Sequence, residues 1–493
     1  MVCPLFSWGV MAGLDFFLQR KRLLRYIALI AVTVSCLSAV QFTYTGYQQD
    51  DWYHIRAAEM LRQDGIRRDF PWMARSILNE NFCDLHFLYH VLLIPFTFGN
   101  LMITGKIAAV LFAAGAVVIL CRVFEIHKIP FPLFWSLLLF GSLSFLLRML
   151  ALRPISLSVI FLVLLFHLLL REKYIWILPL TYCFVLSYSA FPVFFIVVLV
   201  HGAVYAAYHR RLEWRPVLYC FAGTAAGLLL NPYFPANLRA LWVQDVLQLL
   251  PGQSVELSAQ VFPLDTWSLF INSWAVFGVL FLVLLFSFKR GRKSSFAPVF
   301  LFAQCAIFLL VFLRVPRGID FFIVSAVFLG AFLFQGEQIS LSPVVKAAGC
   351  VFLACMIAVN GFQAYEKFRV VEKVRNEGSA LWLKNNTPAG SEVFLSNYGA
   401  FPQLFYYNRH NVYTFGLSGI FMYAQDRKLY GLYLDTINLR SDPYPIIKND
   451  FDVRWIHVEN VTRSIAFYRY LRNNPRLYGM VYQDEFSTVF EVH

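Results

Sequence analysis

Eleven apolar runs of roughly 15–20 residues, separated by short polar or basic links, constrain this chain more than any other feature. A helix needs about 20 apolar residues to cross hydrocarbon. The runs therefore predict membrane spans near 24–44, 101–121, 131–147, 155–170, 174–188, 190–208, 216–230, 269–288, 296–313, 319–335 and 344–360. Between the fifth and sixth, Ser187-Tyr188-Ser189-Ala190-Phe191-Pro192 predicts a tight turn, with one kinked helix as the alternative. Only 14% of the 493 residues are charged and 59% are hydrophobic, too apolar for an ordinary water-soluble enzyme. The first span shows no small-residue cleavage site, so it reads as a retained span.

The net charge of +13 raises the question of nucleic acid. Its distribution argues against that, because the basic residues cluster beside apolar runs, as in a topology signal. Arg20, Lys21, Arg22 and Arg25, then Arg122/Lys128, Arg171/Lys173, Arg210/Arg211/Arg215 and Lys289/Arg290/Arg292/Lys293 all fall on one side of an eleven-span arrangement. That side carries 16 Lys and Arg against 5 Asp and Glu, whereas the opposite loops up to residue 360 carry 11 of each. The rule places the N-terminus in the cytoplasm and the C-terminus outside. The nine cysteines form no CxxC pattern and no disulfide framework, and a bacterial inner membrane fits best.

The expected fold class is thus an α-helical polytopic membrane domain, 1–360, followed by a mixed α/β extracytoplasmic domain, 361–493. Two outer loops are long, 45–100 and 231–268. The first should hold an amphipathic helix over Asp51–Gln63, ending near Asp64-Gly65, and an interfacial or re-entrant helix over 86–98. The second carries Asp245, Glu256 and Asp265, and loops of this length tend to be functional. In the last domain, Phe368 to Lys384 reads as a helix, and Glu392–Leu395 and Asp452–Val458 read as strands. No GxxxxGK[ST] nucleotide loop is present.

Titratable groups concentrate at the outer surface: Asp50, Asp51, His54, Arg56, Asp84, His86 and His90 in the first loop, Arg148 and Arg153 in one outer turn, Arg314, Arg317 and Asp320 in another. In one bundle they would converge on an outward cavity, where carboxylates serve as base or metal ligand beside arginines that hold an anion. Asp84, His86 and His90 are the expected ligands of a divalent ion such as Mg or Mn, interfacial histidines being the plainer alternative. Arg148, Arg153, Arg314 and Arg317, with Lys106 near the end of its span, are the expected phosphate contacts, against simple snorkelling to headgroups. The plainer role for Asp50 or Asp51 is to cap the helix starting at Trp52. Phe401 to Tyr413 would stack on sugar rings or headgroups, with ordinary core or a surface resting on the membrane as the plainer alternatives.

Gln49-Asp50-Asp51-Trp52-Tyr53-His54-Ile55-Arg56-Ala57 resembles the Asp-Pro-aromatic-aromatic-x-x-Arg-Ala stretch that opens the first external loop of oligosaccharyltransferase catalytic subunits. These belong to the GT-C glycosyltransferases, with the protein O-mannosyltransferases and the lipid A aminoarabinose transferases. By position Asp50 matches the family's first-loop carboxylate and Arg56 its arginine, while Asp51 replaces its proline. Ser396-Asn397-Tyr398-Gly399, followed by Asn408-Arg409, resembles the Trp-Trp-Asp-Tyr-Gly acceptor region without its tryptophans and aspartate. The family's Asp-x-Asp is also missing, Asp84-x-His86 being the nearest substitute. The resemblance implies a polyprenyl-phosphate-linked sugar donor, a lipid, glycan or protein acceptor, and Asp50 with Asp51 as catalytic carboxylates. Rival readings are transfer of a whole glycan from a lipid diphosphate to protein, a lipid or glycan transporter, and an inactive relative acting as an assembly subunit.

Overall fold

The computed structural model describes residues 5–43, 50–247, 266–289, 295–337, 341–371, 374–460 and 464–493. Gln49 of the first-loop motif and the stretch 248–265, with Glu256 and Asp265, lie outside the described residues.

Each of the eleven predicted runs is helical. In chain order the helices are α1 (Leu5–Gln41), α2 (Asp51–Asp64), α3 (Phe87–Leu93), α4 (Leu101–Ile126), α5 (Pro132–Leu137), α6 (Leu143–Leu150), α7 (Ile155–Leu170) and α8 (Ile177–Ser187). They continue with α9 (Pro192–His209), α10 (Arg215–Leu229), α11 (Ala236–Leu241), α12 (Thr266–Ile271), α13 (Trp274–Lys289), α14 (Phe296–Arg314), α15 (Ile319–Phe332) and α16 (Pro343–Val371). Five helices are long and apolar enough to cross a membrane alone, and six if one bent pair counts as a span. The others are shorter apolar helices packed among them. The expected turn between α8 and α9 is present, with Pro192 opening α9 where its missing N–H costs nothing.

The expected span 131–147 is not one helix. It breaks at Ser142 and turns by 91°. The backbone groups freed there find partners inside the bundle: Asn360 Nδ2 donates to the Phe140 carbonyl (2.7 Å), and the Leu143 N–H donates to the Asn272 carbonyl (2.8 Å). Ser142 Oγ caps α6 by accepting from the Phe145 N–H and shares a hydrogen bond with Ser273 Oγ (2.8 Å). Such local satisfaction is what permits a break at membrane depth. A second close packing lies between α8 and α10. A Cβ on Gly223 would sit 2.4 Å from the Leu178 carbonyl oxygen, and one on Gly227 2.7 Å from the Val185 Cβ. This Gly-x-x-x-Gly face brings two backbones together as small residues do in membrane helix pairs.

The first loop folds as its pattern predicts, with α2 ending at Gly65, whose φ of +71° suits a residue without a Cβ. The predicted boundary at 360/361 falls inside α16, and the expected helix 368–384 is instead the end of α16 and a separate α17 (Glu377–Asn386). Beyond it come β1 (Glu392–Leu395), α18 (Phe401–Tyr407), β2 (Val412–Tyr413), α19 (Gly419–Gln425), α20 (Arg427–Ile437), β3 (Trp455–Glu459), α21 (Ile465–Asn473), β4 (Tyr478–Gln483) and β5 (Ser487–Val492). The sheet order is β2-β1-β3-β5-β4, parallel among the first three and antiparallel at β3-β5 and β5-β4.

This domain rests on the first loop. Met73 makes a parallel bridge to Tyr413, adding the loop to the edge of the sheet. Arg75 makes two hydrogen bonds to the Glu392 carboxylate, at 3.1 and 3.0 Å, and one to the Phe451 carbonyl. Trp52, fully buried, packs edge-on against Tyr406 at 4.8 Å. Phe70, Phe82, Phe401, Phe405 and Tyr233 join the two outer loops and the domain in one apolar cluster. Most of the aromatic stretch 401–413 is core, with Phe401, Phe405 and Tyr413 fully buried and Tyr407 partly exposed.

Candidate active site at the outer end of the bundle

Between the end of the helix bundle that carries the α6–α7 turn and the C-terminal domain lies a cavity of about 560 Å³. Seven separate segments contribute to its wall. The start of α2 contributes Asp50, Tyr53 and His54, and the following loop contributes Asp84 and His86. The α6–α7 turn supplies Arg148 and Arg153, the α8–α9 turn Tyr188 and Ser189. Gln244 and Asp245 come from a wide π-helical turn after α11, Arg317 from the turn before α15, and Asn397, Tyr398 and Gly399 from the segment after β1.

Asp50 holds the N-cap position of α2 yet makes no side-chain cap. Its carboxylate instead lies 3.2 Å from Arg153 Nη2, and the buried Asp51 lies 3.6 Å from Arg153 Nε. One arginine thus lies against both adjacent carboxylates. Arg148 is also engaged: Nε and Nη2 donate to the two Asp320 oxygens at 2.7 and 2.6 Å, a fork that ties α6 to α15.

Asp84 turns back to His90, accepting from Nδ1 at 2.6 Å, and its other oxygen accepts the His86 N–H. With Nδ1 donating to the carboxylate, His90 Nε2 accepts from His54 Nδ1 at 2.8 Å. Burial pushes His54 well below the ordinary histidine value, and it lowers His86 to about 4, so both rings are neutral at pH 7. Burial alone would raise the Asp84 carboxyl, but His90 and His86 outweigh it and hold it low. Asp245 is different. Desolvation, only partly opposed by Gln244 and Arg317, raises it to about 6.

The predicted ligand trio does not fit an ion. Both nitrogens of His90 are taken by Asp84 and His54, and His90 is fully buried. Among the described residues no three His, Cys, Asp or Glu side chains form a group that would hold a metal. Asp84 and His86 line the cavity with Asp50, while His90 stands behind them.

Four other predicted residues stay off the cavity wall, and one is Asp51, expected as a catalytic carboxylate but fully buried. Arg56 pairs with Glu59 and donates to the Tyr406 carbonyl, so it fastens α2 to the C-terminal domain. Arg314 is exposed at the end of α14. Lys106 is buried in α4, with its Nζ over the Phe42 ring at 5.9 Å.

No family model matches the chain, and no curated protein does either. Solved structures do match over most of its length. The archaeal oligosaccharyltransferase AglB from Archaeoglobus fulgidus, in complex with an inhibitory peptide and a dolichol-phosphate, gives a TM-score of 0.63 at 11% identity, covering 88% of this chain and 69% of that one. ArnT from Cupriavidus metallidurans bound to undecaprenyl phosphate gives 0.60 at 12% identity, covering 94% and 97%. The chain has the GT-C fold.

Within this fold, the first-loop and outer-turn groups picked from sequence come together, apart from Arg56, Arg314 and Lys106. Asp245 was named only as one of three acids in the second long loop, and Gln244 and Tyr188 were given no site role. Only the length of the second outer loop pointed toward Asp245. Its cavity position depends on Gln244 Nε2 bonding to Ser189 Oγ (3.1 Å), a contact 55 residues apart in sequence that no local pattern reveals.

Proposed function

We propose that this chain transfers a sugar from a polyprenyl-phosphate-linked donor to an acceptor on the outer face of the cytoplasmic membrane, with its C-terminal domain in the periplasm. The observation carrying this reading is the Asp50–Arg153 pair in a cavity that also holds Arg148 and Arg317. AglB and ArnT, which share the fold, are solved with dolichol-phosphate and undecaprenyl phosphate respectively, and this supports a lipid phosphate as the donor's head.

The pairing suggests an exchange. Arg153 is held by Asp50 and Asp51. An arriving phosphate competes for the same guanidinium, and charge-assisted bonds to phosphate are strong. As Arg153 turns to the phosphate, Asp50 loses its neutralising partner and becomes a better base. It then takes the proton of the acceptor hydroxyl as that oxygen bonds to the sugar carbon. The bond from that carbon to the phosphate oxygen breaks, and the polyprenyl phosphate leaves with the electron pair. Arg153 and Arg317 stabilise the charge that grows on the leaving phosphate, the kind of electrostatic term that usually contributes most. Arg148, held by Asp320, keeps the wall in place.

The test is native mass spectrometry of lipids retained by the purified protein, wild type against Asp50→Asn. A polyprenyl monophosphate sugar enriched in the variant is the expected result. A retained lipid diphosphate oligosaccharide would replace this donor with that of the whole-glycan rival. Absence of polyprenyl lipid from both would remove the donor altogether.

A further inference from the structure

At the end of the bundle opposite Asp50 lies a larger groove, about 1170 Å³, between α1, α4, α5, α13 and α16. Its walls are apolar, with Trp135, Val283, Phe286 and Leu353 among them. Its charged residues are Arg25, Glu125, Glu337 and Lys346. Glu125 is already satisfied, accepting from Tyr26 Oη at 2.7 Å and from Arg122 Nη1 at 3.1 Å. Arg25 and Lys346 are exposed, and among the described residues neither has an ion-pair partner. Arg25 also follows Arg20, Lys21 and Arg22 in sequence, so the mouth of the groove lies in the most basic part of α1.

The wall contains a bare spot. A Cβ built on Gly349 would meet nothing within 4 Å. An apolar hollow that the protein leaves open in a bilayer is filled by hydrocarbon, and basic pockets between spans on the cytoplasmic side attract anionic headgroups. We propose that this groove binds one anionic glycerophospholipid from the leaflet on the Lys- and Arg-rich side, its acyl chains against Trp135, Phe286 and Leu353 and its phosphate held by Arg25 and Lys346. The proposal is independent of glycosyl transfer, because the donor's phosphate would belong with Arg153 at the other end.

Delipidated full-length protein, titrated with phosphatidylglycerol or phosphatidylcholine and read by native mass spectrometry, tests it. Wild type should bind one phosphatidylglycerol in preference to phosphatidylcholine. Arg25→Gln with Lys346→Gln should weaken that binding roughly thirtyfold, since each basic residue near the surface contributes about 1 kcal/mol toward an anionic lipid. Gly349→Leu places its Cβ in open space and narrows the groove there, so it should weaken lipid binding while leaving the melting temperature nearly unchanged. Equal binding of both lipids, or binding unchanged in both variants, would overturn the proposal.

Discussion

Asp50 occupies the place from which an aspartate ordinarily caps a helix, yet its carboxylate faces Arg153 across the cavity. A residue that gave up a cap worth about 0.5–2 kcal/mol is being used for something else. Asp50→Asn should therefore lower kcat by about 10²–10⁴ with the melting temperature nearly unchanged, in an assay of sugar transfer from a polyprenyl phosphate. Asp245 makes a different prediction. Its carboxyl titrates near 6 in the folded protein, above the ordinary 3.8, so the fold favours its protonated form. That contribution is complete below about pH 4 and is lost as pH rises through 6. Melting curves from pH 4 to 7 should show Asp245→Asn gaining on wild type as pH increases, and a parallel offset at all pH values would refute the assignment. Asp50 was legible because a short motif and an outer-loop position marked it. Asp245 was not, because burial raises its carboxyl, and that burial is made by segments distant in sequence.

Helix positions were legible because each run carries its own hydrophobicity, whereas the way the helices break and cross was not. The 91° turn at Ser142 depends on Asn360 and Ser273, more than 100 residues away. The α8–α10 contact was readable in principle, since Gly223 and Gly227 stand four apart on one helical face. Gly223→Leu should cost about 1–3 kcal/mol or more by forcing these helices apart. Gly115→Ala in α4 is the control. Its added methyl meets nothing within 4 Å, and the better helix former should raise stability by about 0.5–1 kcal/mol. Unfolding of both variants in detergent, followed by tryptophan fluorescence, separates crossing geometry from the generic effect of replacing a glycine.

For the whole molecule, the main joint lies between the first loop and the C-terminal domain. Arg75 reaches Glu392 and the Phe451 carbonyl from one side, and Trp72 Nε1 donates to the Arg409 carbonyl from the other. Burial raises the Glu392 carboxyl, only partly offset by Arg75, so removing the arginine leaves a poorly solvated acid. Arg75→Met should destabilise the joint by about 1–3 kcal/mol and speed limited proteolysis between α16 and β1, while the membrane helices keep their melting behaviour. The strand 392–395 was placed from its own pattern, but the addition of Met73 to the sheet edge was not, since a single bridge leaves no periodicity to read.

The cavity wall also carries a consequence for biosynthesis. Asp50 leaves the ribosome early, whereas Asn397, Tyr398 and Gly399 emerge only when about four-fifths of the chain has been made. Until then the inserted nascent helices present carboxylates and arginines to the bilayer surface without the wall that encloses them. The cavity is therefore completed only once the residues after β1 have been made, and a chain interrupted in the membrane part lacks that wall.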